Sequence, residues 1–186
     1  SIADAGATLK DINFTFDGTA HGVVISADDT ALTNLSVTNA LDGVAASTVN
    51  NLTINGVNSS TNLGDGFDLS AITGTLSIDN STASSNVGYG VLIATADSLD
   101  LSNFVADNNG IDGLQASTIA GVVTINTATT TNHAAGDGIE LISIGGGVVM
   151  TGVTSTGNDP GIVVNGAASF SDTDGDYSNN NDGGIV

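Results

Sequence analysis

"NGIDGLQA", residues Asn109 to Ala116, reads as a turn that runs into the first residues of a β-strand. The unit recurs along the chain: "HGVVI" at His21, "DGVAA" at Asp42, "DGFDL" at Asp65, "YGVLI" at Tyr89, "DGIEL" at Asp137, "PGIVV" at Pro160 and "GGIV" at Gly183. Its anchors are Gly22, Gly43, Gly66, Gly90, Gly113, Gly138, Gly161 and Gly184, with successive spacings of 21, 23, 24, 23, 25, 23 and 23. Periods of roughly 20 to 50 residues mark solenoids. The copies fill residues 1–186 without a linker, which predicts a single domain.

Within each copy the residues one and three places after the glycine are apolar, as in Leu114/Ala116, Phe67/Leu69 and Ile139/Leu141, whereas the residue between is free to be polar (Asp68, Gln115, Glu140). A period of two is a strand with one buried face. An apolar residue recurs six places after the glycine (Val49, Ile72, Ala96, Ile119, Ile144, Ala167), with Asp28 the exception. A second alternating strand follows at Leu52/Ile54, Leu76/Ile78, Leu99/Leu101, Val123/Ile125 and Val148/Met150. Two or three short strands per turn predict an all-β parallel β-helix of about eight coils of 21–25 residues, each strand pairing with its equivalents about 4.8 Å above and below. Asn39, Asn62, Asn86, Asn109 and Asn180 stand four places before their glycines, where stacked amides can bond up a column. The anchoring glycine is expected to supply a backbone conformation closed to other residues.

These Asn…Asp-Gly-apolar-x-apolar units resemble the right-handed parallel β-helix repeats of the pectate-lyase-like superfamily, over essentially the whole chain. In character they are closest to bacterial surface, adhesin or filament β-solenoids. The right-handed sense comes from the resemblance. The same architecture serves pectin-degrading enzymes, phage tailspikes and surface proteins, so it does not choose among them.

Composition narrows the choice. Net charge is −19, with Lys10 the sole basic residue besides two histidines and no Arg. Nucleic-acid binding needs Lys and Arg for phosphate, so that class is excluded. No apolar run approaches the roughly 18 to 20 residues that span a bilayer, which argues against membrane insertion. The resemblance implies that lyases of this fold use Arg or Lys beside bound calcium, and that its polygalacturonases use clustered Asp with Gly-His-Gly and Arg-x-Lys. Here Ala20-His21-Gly22 falls one residue short, and Arg-x-Lys cannot exist. No catalytic or cofactor-binding residues are assigned.

Metal chemistry has one sequence candidate. In "DTDGDYSNNND", Asp172 to Asp182, the residues Asp172, Asp174 and Asp176 alternate like the opening of a calcium loop, and Asp182 can stand in for the missing Glu. Asp172 also falls in the column of Ile54, Ile78, Leu101, Ile125 and Met150, where a carboxylate is costly unless paired. Asp42/Asp65 and Asp112/Asp137 occupy neighbouring coils, so each pair is expected about 5 Å apart, close enough to raise one pKa or recruit a cation. Asp68 and Glu140 share a column about 14 Å apart. His21 and His133 read as surface residues. The outward column Thr53, Ser77, Asp100, Thr124, Val149 is not the flat Thr ladder of an ice-binding face. Asn-x-Ser/Thr triplets at Asn13, Asn34, Asn51, Asn58 and Asn80 are about as frequent as so much Asn, Ser and Thr makes by chance.

The step from Gly184 to Gly22 of a second copy is 24, inside the range of the other spacings. Uncapped coils in phase with themselves are expected to stack head to tail, the alternative being a segment of a longer β-helical chain. The sequence therefore points to a structural homo-oligomer, the extracellular shaft or subunit of a bacterial filament or adhesin, rising roughly 38 Å per copy. The rival is a carbohydrate-binding or carbohydrate-degrading β-helix that contacts surface glycans.

Overall fold

The computed structural model describes residues 1–133 and 135–186. Its described residues form a parallel β-solenoid of about seven turns built from 18 strands. Eight anchoring glycines enclose seven intervals, which is why the turn count falls one short of the eight expected coils. Each strand pairs in parallel with its equivalent one turn away, at offsets that follow the glycine spacing.

Each turn has three faces. The first follows the anchoring glycine and includes Val23–Ile25, Val91–Ala96, Leu114–Ile119, Ile139–Ile142 and Ile162–Asn165. The second carries Ser98–Ser102, Val123–Asn126, Gly147–Thr151 and Ser169–Thr173. The third consists of three-residue strands: Asn58–Ser60, Thr82–Ser84, Val105–Asp107, Thr129–Thr131 and Thr154–Thr156. Four long strands, Thr8–Thr15, Thr30–Thr38, Val44–Asn55 and Phe67–Asp79, run across a corner from one face to the next.

Period-two alternation turns into columns because each turn repeats the last. Leu52, Leu76, Leu99, Val123 and Val148 stack in register, none more than 1% exposed. Burying each such side chain stabilises the fold by about 1.5–3 kcal/mol. Asp172 does occupy the end of the neighbouring column, paired with Met150.

Corners are shaped by left-handed residues. Asp11, Asn34, Gly56, Asn80, Asn103, Thr127, Gly152 and Asp174 all have φ between 48° and 66° and follow the second-face strand. Asn, Asp and Gly tolerate this conformation, whereas for a β-branched residue such as Thr127 it costs roughly 1–2 kcal/mol.

The anchoring glycines are required for a different reason from the one expected. From Gly22 to Gly161, none has positive φ. Instead, a Cβ at any of them would lie under 3.0 Å from the carbonyl oxygen of the next anchoring glycine. Space, rather than backbone freedom, selects glycine there.

The asparagine ladder forms, with altered membership. Each rung's backbone N–H donates to the side chain one turn on: Ala40 to Asn62, Asn62 to Asn86, Asn86 to Asn109, Asn109 to His133, His133 to Asn158 and Asn158 to Asn180, all at 2.9–3.2 Å. Asn39 is not a rung; it is an exposed left-handed residue beside Ala40, which takes the inward place. His133 is not on the surface: it is 0% exposed and replaces an asparagine.

Candidate functional site

The residue before each anchoring glycine faces outward and forms a column: His21, Asp42, Asp65, Tyr89, Asp112, Asp137, Pro160. The aspartates have a structural task. One Oδ1 of Asp42 accepts the N–H of Asp65, that of Asp65 accepts the N–H of Tyr89, and that of Asp112 accepts the N–H of Asp137, each at 2.8 Å. Asp-Gly therefore closes a turn onto the turn beneath it.

Beside this column runs a second, two places after the glycine: Val24, Ala45, Asp68, Leu92, Gln115, Glu140, Val163. Where acids fall in both columns they converge. Ligand atoms of Asp112, Asp137 and Glu140 lie within 4.8 Å of one another, the one group of three metal-ligating side chains so placed among the described residues. Gln115 Nε2 donates a short hydrogen bond to Glu140 Oε2.

Crowding of like charges in a half-buried setting resists ionisation. Burial, followed by Asp112, Glu140 and Asp159, pushes Asp137 up to about 7. Burial also raises Asp112 to about 6, with Glu140 adding to it and the bond from the Asp137 N–H opposing it. Asp65 rises to about 6 through burial, opposed by the Tyr89 N–H and helped by Asp42 and Asp68. Tyr89 sits between the two acidic groups, and its phenol is raised by burial and then by Asp112, Asp65 and Glu140. Near the first group, His21 Nδ1 lies 2.8 Å from Asp42 Oδ2. A surface hollow of about 250 Å³ there is lined by His21, Ser47, Asp68 and Ser70.

Chemically, Asp112 and Asp137 can share a proton near neutral pH, and with Glu140 they can offer oxygen ligands to a hard divalent cation. The close approach of Asp112 and Asp137 follows from the expected spacing of neighbouring coils. Glu140 falls outside the grouping that the sequence suggests, because residues three apart in an ideal strand face opposite sides. Gly138 and Ile139 both turn inward, which breaks the alternation and brings Asp137 and Glu140 to the same side.

The sequence's calcium candidates are distributed differently. Asp172 is half-buried at the end of an apolar column, and its carboxylate, after burial, raises the Tyr177 phenol. Asp174 is the left-handed corner residue of the last turn. Asp176 is exposed and accepts the N–H of Ser178 at 3.1 Å, with hydrogen bonds from Ser178 lowering its pKa. Asp182 is exposed in the final turn. No family model, curated protein or solved structure matches the chain.

Proposed function

We propose that this chain is a structural protein, a β-helical shaft segment of an extracellular filament or adhesin, of the kind its likeness to pectate-lyase-like repeats suggests, and that copies continue one another head to tail. The supporting observation is the state of the apolar columns at the two ends. Middle-turn members such as Leu76, Leu99 and Ile125 are 0–1% exposed. At the first turn Leu9, Phe14 and Phe16 are only half-buried, as are Val164, Ala167 and Tyr177 at the last. Phe170 is 40% exposed. A further turn, whether of a second copy or of the same solenoid continued, would cover these residues and satisfy the open strand edge with main-chain hydrogen bonds. The outer acidic columns keep such shafts apart by like-charge repulsion.

Sedimentation and electron microscopy of the purified chain test this reading. The expected result is thin filaments that lengthen with concentration and have an axial repeat of about 38 Å, set by about 4.8 Å per turn over the seven turns of one copy and the turn that crosses the joint. Monodisperse particles at every concentration and salt would overturn it.

A carbohydrate-degrading reading is favoured by one observation, the carboxylate group at Asp112, Asp137 and Glu140. Retaining glycosidases hold two carboxyls roughly 5–5.5 Å apart, one of them with a raised pKa. Release of reducing sugar from a glycan panel, abolished in Asp137→Asn, would select that reading over the structural one.

A further inference from the structure

The asparagine ladder has one rung of different chemistry, and its surroundings differ from those of the other rungs. At Asn62 the side-chain N–H₂ donates to Ser59 Oγ and to Asn86 Oδ1, and Ser59 Oγ donates to the Gly66 carbonyl. At Asn158 it donates to Ser155 Oγ and the Thr130 carbonyl, and Ser155 donates to the Gly161 carbonyl. In the turn just before Asn158, Thr130 and His133 hold these places, whereas at Asn86 and Asn109 the serine's place is taken by Ala83 and Ala106. Thr130 and His133 are both 0% exposed, and Thr130 Oγ1 and His133 Nε2 have no hydrogen-bond partner among the described residues. His133 still keeps the ladder continuous: its Nδ1 accepts the Asn109 N–H at 3.2 Å, and its own N–H donates to Asn158 Oδ1 at 3.0 Å.

An asparagine oxygen accepts at any pH, whereas an imidazole nitrogen accepts only while it carries no proton. Because Nδ1 is the acceptor, the ring is the neutral Nε2–H tautomer. We infer that His133 is an acid-sensitive rung, which closes the ladder only as neutral imidazole and breaks it at this turn when Nδ1 is protonated. A proton on Nδ1 would set N–H against N–H in a buried site. This inference rests on the ladder geometry and is independent of the proposed assembly.

The charged groups around the ring do not rescue the cation. Asp107, on the preceding strand, is the carboxylate whose field reaches it, but its Oδ1 already accepts from Thr131 and Asn132. Asp112 precedes Gly113, whose backbone lies beside Nε2; Asp137 belongs to the ring's own turn and Asp159 follows Asn158 on the next. Asp112 is buried and Asp137 and Asp159 are half-buried, but none of the three is among the charges that act on the ring. Burial is the largest influence on the ring's pKa and lowers it; the backbone of Asn109 and Ala106 and the Asp107 carboxylate oppose it in part.

The sign follows. An unfolded histidine takes its proton below about pH 6.5, where the folded ring still refuses it. The rung's contribution is therefore whole above that pH and is lost as pH falls, by up to about tenfold in the folding constant per pH unit. The outer carboxylates act in the opposite direction, so the effect is read as a difference between variants. His133→Asn restores the amide rung.

Urea unfolding of wild type and His133→Asn between pH 8 and pH 5 gives the ratio of folding constants. The ratio should be flat above about pH 7 and rise toward tenfold per unit below about 6.5. The chain has only two histidines, so nitrogen NMR of the wild type gives an independent reading. His133 should show a protonated Nε2 at pH 7, and exchange protection of the Asn109 amide should fall on acidification. Parallel stability profiles, or a His133 signal with the proton on Nδ1, would overturn the inference. If His133→Asn does not fold, the NMR result decides alone.

Discussion

The inside and the outside of this solenoid are built by the same device with opposite energetic results. Inside, leucine stacks on leucine and isoleucine on isoleucine, and every repetition removes apolar surface from water. Outside, aspartate falls beside aspartate, and burial, reinforced by the neighbouring carboxylates, raises carboxylate pKa values to about 6 and 7. A fold that brings equivalent positions together at about 4.8 Å amplifies whatever chemistry the repeat carries. The interior columns supply the stability that tolerates the strained exterior.

Three substitutions sharpen that contrast. The largest loss is expected in the interior. Ile78→Ala removes a side chain with no exposure from a continuous column and should cost about 2–5 kcal/mol, read from the urea midpoint. Gly90→Ala comes next. Its Cβ would meet the Gly113 carbonyl oxygen, so the turns must separate locally, at about 1–3 kcal/mol. If Gly90→Ala were neutral, the account of the anchoring glycines as spacers would be wrong.

The smallest effect has the opposite sign. Asp137 binds its proton more tightly folded than unfolded, so it contributes stability at low pH that is lost as pH rises from about 4 to about 7. Asp137→Asn should therefore stabilise the protein at pH 8 by about 1 kcal/mol after allowance for solvent screening. It should make little difference at pH 4. Equal stability of the two proteins at pH 8 would show that the outer column carries no strain.

Much of this is legible in the sequence because a solenoid converts sequence period directly into contact. Eight glycines and the alternation at Leu114/Ala116 or Leu76/Ile78 locate the columns, and the pairing follows the same register. The ladder is only partly legible. His133 stands five places before its glycine and Asn158 three, so a fixed offset of four misses both and selects Asn39. Glu140 escapes because period-two reasoning does not anticipate two successive inward residues at the glycine. The Asp172–Asp176 stretch has the spacing of a calcium loop. That spacing also arises where an apolar column, a left-handed corner and a capped turn follow one another, the places that Asp172, Asp174 and Asp176 hold.

The proposed end-to-end stacking makes a register prediction of its own. Thr173, Thr151, Asn126, Ser102, Asp79, Asn55, Thr33 and Lys10 belong to one outward column. Counted across the joint, Lys10 of a second copy follows Thr173 by one turn. A Lys10→Cys, Thr173→Cys double variant of this cysteine-free chain should, on mild oxidation, give a ladder of covalent multimers, and peptide mapping should find position 10 of one copy bonded to position 173 of the next. Monomers alone, or only symmetric links between like positions, would contradict head-to-tail continuation of the solenoid.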